Sequence, residues 1–293
     1  FHRSRGELAQ DNVYARGLLD WCYNTRIGRW LTRNVLRRRW VSQVYGWVHR
    51  LPISRRRIQH VARDWNIDTE DLLQPLAQYA SFNDFFTREI DLRRRPIHPD
   101  PQVCVAPADA RVLAYPVVDA DTTFRIKCAS FRLARFLGDR QLTAMFAGGA
   151  MCIHRLYLSD YHRFHFPVDG IPEQCVDIPG YYDAVSPYSQ QRLVPFYAEN
   201  HRVRTLLQTA RFGPVLMVEV GAFTVGSIRQ CYQPGQAATR GECKGLFELG
   251  GSTVVLLFAP GVIRFDDDLL AHTRDELETY VQLGDRLGQA IQS

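Results

Sequence analysis

Short apolar runs separated by turn signals make up most of the chain from about residue 76 onward. The runs are rich in β-branched residues, and the turns between them include Pro-Ala-Asp, Val-Asp-Gly and Gln-Pro-Gly. This pattern predicts strands at 103–106, 111–118, 151–158, 193–198, 214–220, 222–228 and 253–258. We therefore expect an α+β fold whose larger part is a mainly antiparallel, barrel-like β-sheet domain.

The first 65 residues follow a different pattern, with apolar side chains at helical spacing. Over residues 29–51 the recurring positions are Leu36, Trp40, Val44, Trp47, Val48 and Leu51. A row of arginines on another face of the same predicted helix consists of Arg29, Arg33 and Arg37. Pro52 should end this helix, and a further helical stretch is predicted over 54–65. The tail over about 268–291 is also predicted to be helical.

Charge divides the chain at about the same place. Residues 1–60 hold 13 Arg, no Lys and three acidic residues, a net of +10, whereas the remainder holds 23 basic and 28 acidic residues, a net of −5. All five Trp also lie within the first 65 residues. We expect residues 1–75 to form a basic, amphipathic, helical membrane-contacting region ahead of a domain over 76–293. An ordinary helical subdomain and a nucleic-acid-binding arm are the alternatives, although no nucleic-acid reader motif accompanies the charge.

Cysteine usage and hydropathy argue against several classes of protein. The seven Cys are scattered, odd in number and form no Cys-x-x-Cys pair, which argues against a disulfide framework and a structural zinc site. The apolar runs fall far short of the roughly 20 residues that cross a bilayer. We therefore expect reduced thiols, no metal and, if the protein meets a membrane, peripheral contact.

The stretch Gly250-Gly251-Ser252-Thr253 lies directly ahead of the apolar run at 254–258. That run predicts an interior strand, and the two glycines allow backbone angles that other residues avoid. A turn or bulge is the simplest explanation of a lone Gly-Gly-Ser. Ser252 also places a hydroxyl at a tight backbone corner. Whether that hydroxyl has a chemical role depends on the ionisable residues elsewhere in the chain.

Two other stretches place ionisable side chains at tight turns. Asp109 follows Pro-Ala just before a predicted strand, where an Asx turn alone would explain it. His162 and His165 lie in DYHRFHFPVDG at 160–170. Because they are three residues apart, they would point to opposite faces of a strand but to one side of a helical turn or bulge. A single histidine is usually structural, but a pair beside Tyr161 and Arg163 is less easily explained that way.

Asp109, a histidine and Ser252 are the parts of a Ser-His-Asp arrangement, in which chain order does not matter. A lipid hydrolase is one interpretation, although no Gly-x-Ser-x-Gly elbow surrounds Ser252. Attack by the Ser252 hydroxyl on its own backbone is another, because Gly251 presents an unhindered carbonyl.

Longer motifs extend along nearly the whole chain. They are YGWVHRLPISRRRI (45–58), SFNDFFTREI (81–90), RRRPIHPDP (93–101), PADA (107–110), DYHRFHFPVDG (160–170), ENHRV (199–203), VGAFTVGSI (220–228) and ELGGSTVVLLF (248–258). With these motifs the sequence resembles the phosphatidylserine decarboxylase family and is most similar to its bacterial-type members.

This resemblance implies a self-cleaving proenzyme. Family members cut themselves between the Gly and the Ser of a Gly-Ser-Thr motif, which corresponds here to Gly251 and Ser252. Cleavage would leave a β chain of residues 1–251 and an α chain of residues 252–293, whose Ser252 becomes a covalent pyruvoyl cofactor. By similarity, Asp109 orients His165, and His165 deprotonates Ser252 for the cleavage.

The resemblance also implies a reaction and its partners. The pyruvoyl group forms a Schiff base with phosphatidylserine, CO2 leaves, and hydrolysis releases phosphatidylethanolamine. His162 is the candidate for contacting the substrate carboxylate or donating a proton. We expect an anionic membrane surface, the two chains of one proenzyme and a homodimer as partners, with no metal and no nucleic acid. The expected location is peripheral, on the cytoplasmic face of the cell membrane.

Two positions depart from the family pattern. Ala110 replaces the Gly of Pro-Ala-Asp-Gly, and if that position requires a positive φ the alanine costs about 1 kcal/mol. Glu248 stands where a basic or neutral residue is expected. Three other functions stay open: a hydrolase in which Ser252 remains a serine, a non-catalytic lipid-binding scaffold with an uncut chain, and a decarboxylase for another serine lipid or a free amino acid.

Overall fold

The computed structural model describes residues 1–8, 16–120, 132–183, 199–222, 227–250 and 252–291. In these ranges the chain combines helices with antiparallel sheets, which confirms the α+β expectation. The α-helices are α1 (Arg16–Asn24), α2 (Arg26–Leu31), α3 (Arg39–Arg50), α4 (Ile58–Asp64), α5 (Phe82–Phe86), α6 (Leu133–Leu137), α7 (Arg140–Phe146) and α8 (Asp267–Arg274). A π-helical turn spans Thr32–Leu36, and 3₁₀ turns span Pro52–Arg57, Leu76–Gln78 and Leu92–Arg94.

The strands form one large sheet and two small ones. They are β1 (Val103–Val105), β2 (Ala110–Val118), β3 (Gly149–Leu156), β4 (Arg163–His165), β5 (Ile171–Pro172), β6 (Val176–Ile178), β7 (Arg202–Thr209), β8 (Gly213–Val220), β9 (Ser227–Gln230), β10 (Cys243–Glu248), β11 (Ser252–Phe258), β12 (Ile263–Phe265), β13 (Thr279–Val281) and β14 (Arg286–Ala290). The large sheet has the order β13-β2-β3-β11-β8-β7-β5, with β6 also pairing with β7. The small sheets are β1-β14-β12 and β4-β10-β9.

The large sheet is open, so the expected barrel-like closure is wrong for the strands described. Its edges are β13 and the short strands β5 and β6, and these edges do not pair with each other. β11 lies at the centre, between β3 and β8, and all seven of its residues are buried.

Five predicted strands are confirmed as β1, β2, β3, β8 and β11. The run at 193–198 and residues 223–226 of the run at 222–228 lie outside the described residues. The apolar pattern does not predict β7 and β10, because each carries charged side chains that are buried with partners. In β7, for example, the Arg202 Nε donates to the Phe136 carbonyl oxygen at 2.7 Å.

The predicted terminal helix is wrong beyond residue 274. Helix α8 ends at Arg274, and β13 and β14 follow it. Thr279, Tyr280 and Val281 favour strands and pair with β2. In β14, Gly288 permits close passage beside β12, because a Cβ there would lie 2.4 Å from the Arg264 carbonyl oxygen.

Helix α3 turns its apolar face away from the rest of the protein. The residues that it buries are Ser42, Gly46 and His49. The apolar side chains that it exposes are Trp40, Val44, Trp47 and Val48. Each set recurs every three or four residues, so the two sets occupy opposite sides of the helix. The predicted spacing is thus confirmed over Arg39–Arg50, with the apolar face exposed.

The predicted arginine row does not form one exposed basic face. Arg29 and Arg33 are exposed, but Arg37 is partly buried and its Nη2 lies 3.3 Å from Glu199. The helical hydrogen bonding also changes to the π type at Thr32–Leu36, which interrupts the row. Within the part of the chain that the structure describes, none of the helices has the length and apolar character needed to cross a membrane.

The helical region has a small apolar core of its own. Its buried members are Ile58, Val61, Ala62, Tyr79, Phe82, Phe85, Phe86 and Leu249. All of these residues lie in the helical part of the chain, over 58–86, except Leu249, which lies in the turn between β10 and β11. The predicted boundary at residue 75 stays a prediction, and side chains from both sides of it share this core.

A fully buried ion pair connects β8 to β10. The Lys244 Nζ lies 3.0 Å from Glu219 Oε1, and both side chains have 0% exposure. Gln230 accepts from Lys244 at 2.7 Å and donates to Glu219 at 3.0 Å. Burial lowers the pKa of Lys244, while the Glu219 carboxylate opposes that shift. The pair therefore stabilises the contact between the large sheet and the β4-β10-β9 sheet only while both partners are present.

Replacing Glu219 with Gln should lower the free energy of unfolding by about 3 kcal/mol or more, because Lys244 would stay buried without its counter-charge. Urea unfolding followed by circular dichroism measures this. Asp267→Asn is the control, since it breaks the exposed Arg264–Asp267 pair and should change the value by less than about 0.5 kcal/mol. Equal midpoints for Glu219→Gln and the parent protein would contradict this account.

Candidate active site

Ser252 is the first residue of the central strand. It pairs with Leu156, the last residue of β3, and its side chain is fully buried. The Ser252 Oγ has no hydrogen-bond partner among the described residues. Burying a hydroxyl in this way costs about 1–3 kcal/mol, so the position is unfavourable for stability alone.

The turn ahead of Ser252 has unusual backbone angles. Leu249 has a φ of 35° and Gly250 a φ of 124°. A positive φ is accessible to glycine but strained for leucine, which persists there only because its surroundings hold it. Gly251, the predicted residue on the other side of the cut bond, lies outside the described residues.

His162 lies beside this turn. Its carbonyl accepts from the Phe247 N–H at 2.9 Å, and the Gly250 backbone is close enough to affect its ring. The His162 Nδ1 donates to the Asp160 carbonyl oxygen at 2.9 Å. A carbonyl only accepts, so Nδ1 carries the proton and Nε2 is the basic nitrogen. This Nε2 is buried and has no hydrogen-bond partner in the described ranges.

His165 lies further from the turn, opposite Cys243 in the pairing of β4 with β10. Its Nδ1 donates to the Gly241 carbonyl oxygen at 2.8 Å, which again leaves Nε2 as the basic nitrogen. The Tyr161 hydroxyl lies 3.2 Å from this Nε2. Burial raises the pKa of Tyr161, so the phenol stays protonated and donates to the ring.

Both histidines are neutral at physiological pH. Burial is the main cause, and it lowers the pKa of His162 to about 3 and that of His165 to about 4. Nearby arginines lower both values further, and the backbone carbonyls that bind the two Nδ1 atoms act in the opposite direction. A neutral imidazole with a fixed tautomer is the form that accepts a proton from a hydroxyl.

Asp109 is held by a different set of residues. Arg95 contacts it through Nε at 3.2 Å from Oδ1 and Nη2 at 3.0 Å from Oδ2. The Leu283 N–H donates to Oδ1 at 2.8 Å. Arg95 also pairs with Asp71 at 2.7 Å, so one buried guanidinium lies between two carboxylates. Among the hydrogen bonds of the described residues, none joins Asp109 to His165.

The loop that carries Asp109 nevertheless lies against β4, because the His165 N–H donates to the Pro107 carbonyl oxygen at 2.8 Å. Ala110 is the first residue of β2, pairs with Val281, and is not among the described residues with a positive φ. The replacement of the usual Gly by Ala110 therefore carries no left-handed strain.

Comparison with known proteins places these residues in a family. A family model for phosphatidylserine decarboxylase matches residues 82–289. The phosphatidylserine decarboxylase proenzyme of Chlamydia trachomatis serovar D is 40% identical over 292 residues, which cover 100% of this chain and 97% of that protein. The chain belongs to the phosphatidylserine decarboxylase family. The proenzymes of Chlamydia felis (40% identity, 92% and 90% coverage) and Chlamydia pneumoniae (40%, 98% and 95%) are similarly close.

The region that the family model matches includes all of the predicted site residues. The structure brings only some of them together. It places His162 beside the turn before Ser252 and does not join Asp109, His165 and Ser252 by hydrogen bonds in the described ranges. Sequence reasoning missed three positions: Tyr161 on His165, Arg95 on Asp109, and Arg88. The Arg88 Nη2 donates to the carbonyls of Ser159 and Asp160, which fixes the carbonyl that binds His162.

The only signal for these residues is their place inside the family motifs. Arg88 lies in SFNDFFTREI, Arg95 in RRRPIHPDP and Tyr161 in DYHRFHFPVDG. Their partners are distant in sequence, so no local pattern could have named the contacts.

The free energy of unfolding should fall steeply as the pH drops below the ordinary histidine pKa of 6.5. Below that value the unfolded chain binds a proton at each histidine, whereas folded His165 does so only near pH 4. The His165→Gln variant should therefore lose roughly 1 kcal/mol less than the parent between pH 6 and pH 5. Urea unfolding at each pH measures the difference, and His60→Gln, at an exposed site, is the control. A variant with the parent's pH slope would show that His165 is not buried in its neutral form.

Proposed function

We propose that this chain is a phosphatidylserine decarboxylase that matures by cutting its own backbone between Gly251 and Ser252. The observation that carries the proposal is the Ser252 hydroxyl, buried without a partner in the described structure at the start of the central strand. It follows directly on a turn with positive φ at Leu249 and Gly250. The 40% identity to proenzymes over the whole chain supports the same activity.

The residues around Ser252 fit a covalent pyruvoyl group at that position. A pyruvoyl group keeps the three carbons of serine but has a ketone in place of the amine and no hydroxyl. The buried pocket therefore loses an unpaired hydroxyl when the group forms. The unpartnered Nε2 of His162 supplies a group that can hold or release a proton close to the same turn.

In the proposed cleavage, His165 takes the proton of the Ser252 hydroxyl. The Gly241 carbonyl, which accepts from Nδ1, orients the imidazole, and the orienting role of Asp109 stays a prediction from the family resemblance. The oxygen attacks the Gly251 carbonyl carbon, the peptide C–N bond breaks, and an ester joins the two parts. Loss of the Ser252 Cα proton then expels the Gly251 carboxylate, and water releases ammonia to leave the ketone. The fixed Nδ1–H tautomer of His165 supports this role, because it leaves Nε2 as the accepting nitrogen, and the lowered pKa keeps that nitrogen unprotonated while weakening it as a base.

In the proposed decarboxylation, the pyruvoyl carbonyl supplies an electrophile for the amine of phosphatidylserine and an electron sink as CO2 leaves. We assign to the Nε2 of His162 the proton that replaces the carboxylate. Because this nitrogen is unprotonated in the neutral ring, it first takes a proton from the substrate ammonium group as the Schiff base forms and then returns it to the carbon that has lost CO2. This Nε2 is buried and lies near Gly250. Phe86, whose ring centroid lies 3.9 Å from that of His162, excludes water from one side of the imidazole.

We also propose that α3 docks on an anionic bilayer. Trp40 and Trp47 are 58% and 59% exposed on the helix face opposite the buried one. Exposed arginines, including Arg38, Arg39 and Arg50, surround that face. Tryptophan rings favour the headgroup level of a bilayer, and arginine favours anionic lipid. A peripheral location at a membrane follows from this proposal, while the cytoplasmic face of the cell membrane and the homodimer stay predictions from the family resemblance.

The purified enzyme should release CO2 from phosphatidylserine, whereas Ser252→Ala should stay uncut and release none. His165→Ala should also stay uncut. His162→Ala should be cut but decarboxylate at least about a hundredfold more slowly. The measurements are gel analysis of the chain and CO2 release from vesicles labelled in the serine carboxyl group.

Ser4→Ala, which changes an exposed serine far along the chain, is the matched control and should behave as the parent. Release of fatty acid by an uncut parent chain would favour the hydrolase instead. An uncut His162→Ala chain would assign the cleavage base to His162.

Replacing Trp40 and Trp47 together with Ser should weaken binding to vesicles that contain anionic lipid by roughly tenfold or more, because both rings lose their apolar contact with the bilayer. Cosedimentation with the vesicles measures the bound fraction. Val117→Ser, a change at an exposed apolar residue of β2, is the control and should bind as the parent. Unchanged binding of the double variant would exclude this face of α3 as the membrane contact.

A further inference from the structure

Glu248 ends β10, and its carboxylate is held by three side chains from two other elements. Arg50, in the last turn of α3, forms an ion pair with its Oε2. The Ser227 hydroxyl, from β9, donates to the same oxygen. The Arg229 Nη1 lies 3.6 Å from Oε1. Glu248 is only 7% exposed, so this position, where the family pattern favours a basic or neutral residue, is enclosed by positive charge.

The next residue along the chain is held by the same helical region. Leu249 is buried in the small core with Ile58, Phe82 and Phe86. Phe82 in turn contacts α3, because its ring lies edge-on to His49 at 5.6 Å. Its N–H also donates at 2.9 Å to the hydroxyl of Ser54, in the 3₁₀ turn that follows α3. Helix α3 and its neighbours therefore hold two consecutive residues, Glu248 by an ion pair and Leu249 by apolar packing.

These contacts precede the strained turn. Leu249 has a positive φ that a leucine does not adopt unless its surroundings impose it. An anchor at Glu248 fixes the entry to the turn, and the pairing of Ser252 with Leu156 fixes its exit. The backbone between these two points carries the bond that we propose is cut.

We propose that the Arg50–Glu248 ion pair is a positioning device for self-cleavage, which makes helix α3 part of the maturation apparatus of this chain. The inference rests on the proposed cut between Gly251 and Ser252. Without the pair, β10 would end without its anchor, and the turn that leads to Ser252 would spend less time in the backbone conformation that the attack requires. The step affected is the attack of that hydroxyl, not the later elimination.

Cell-free synthesis followed by a time course of fragment release tests the proposal. Arg50→Gln and Glu248→Gln should each slow release of residues 252–293 by about tenfold, the value of one charge-assisted hydrogen bond. Arg50→Lys, which keeps the charge, should recover most of the rate. The double variant should be no slower than either single one, because the two side chains act as one unit.

Arg55→Gln is the matched control. Arg55 is exposed, lies five residues beyond Arg50, and makes no ion pair within the residues that the structure describes. It should cleave at the parent rate. In a Ser252→Ala background, urea unfolding should show Arg50→Gln to be less stable than Arg55→Gln, because Glu248 keeps only the more distant Arg229 as an ion-pair partner. Arg50→Gln should nevertheless be fully folded without urea, which separates positioning from a general loss of structure.

Hydroxylamine identifies the step, because it cuts the ester as soon as the ester forms. With hydroxylamine present, Arg50→Gln and Glu248→Gln should remain slow, since formation of the ester is the step that needs the anchor. Cleavage of these variants at the parent rate when hydroxylamine is present would overturn the proposal. Single variants that cleave at the parent rate without hydroxylamine would also overturn it, as would a double variant whose rate falls by the product of the two single effects. If the parent chain itself stays uncut, the proposed function fails; if the parent is cut and the variants match it, only the positioning role fails.

Discussion

The pairing of Ser252 with Leu156, at the first position of the central strand, is the constraint on which the site depends. β11 is paired on both sides and fully buried, so its first side chain has no access to water. The same pairing brings the end of β3 to Ser252, and the loop that leaves β3 carries Asp160, Tyr161 and His162. A buried hydroxyl, a strained turn and a buried imidazole therefore meet because one strand begins where it does.

The part of the fold that depends on continuous apolar runs could be predicted from the sequence. β11 and β3 are examples, because burial on both faces selects β-branched and aliphatic residues without interruption. β10 could not be predicted, because Lys244 and Glu248 look like surface residues until Glu219 and Arg50 are placed beside them. The helix predicted for the tail was wrong for a different reason. The apolar spacing of the tail is compatible with a helix, but pairing with β2 and β12 makes it two strands.

The members of the candidate site stay a prediction from the family motifs, and their contacts could not be predicted from the sequence. The family motifs identify Asp109, His162, His165 and Ser252 as a set, but the contacts between them are set by residues far away in the chain. Arg95 reaches Asp109 from a proline-rich connection, and the Gly241 carbonyl takes the His165 Nδ1–H. Long-range geometry of this kind leaves no local pattern in the sequence.

Helix α3 packs in the opposite sense to an ordinary amphipathic helix. Its apolar side is exposed, and its small and polar side packs against the helical core next to the β10–β11 turn. The same arrangement explains why a glutamate is acceptable at position 248, where its charge is met by Arg50.

The most direct test is the intact mass of the purified, denatured protein. Self-cleavage predicts two species, one of which is the 42-residue fragment 252–293, lighter by one ammonia than its sequence requires and reactive with a hydrazine through its terminal ketone. A single uncut chain with Ser252 unchanged, or a fragment that begins with an ordinary serine, would contradict the account.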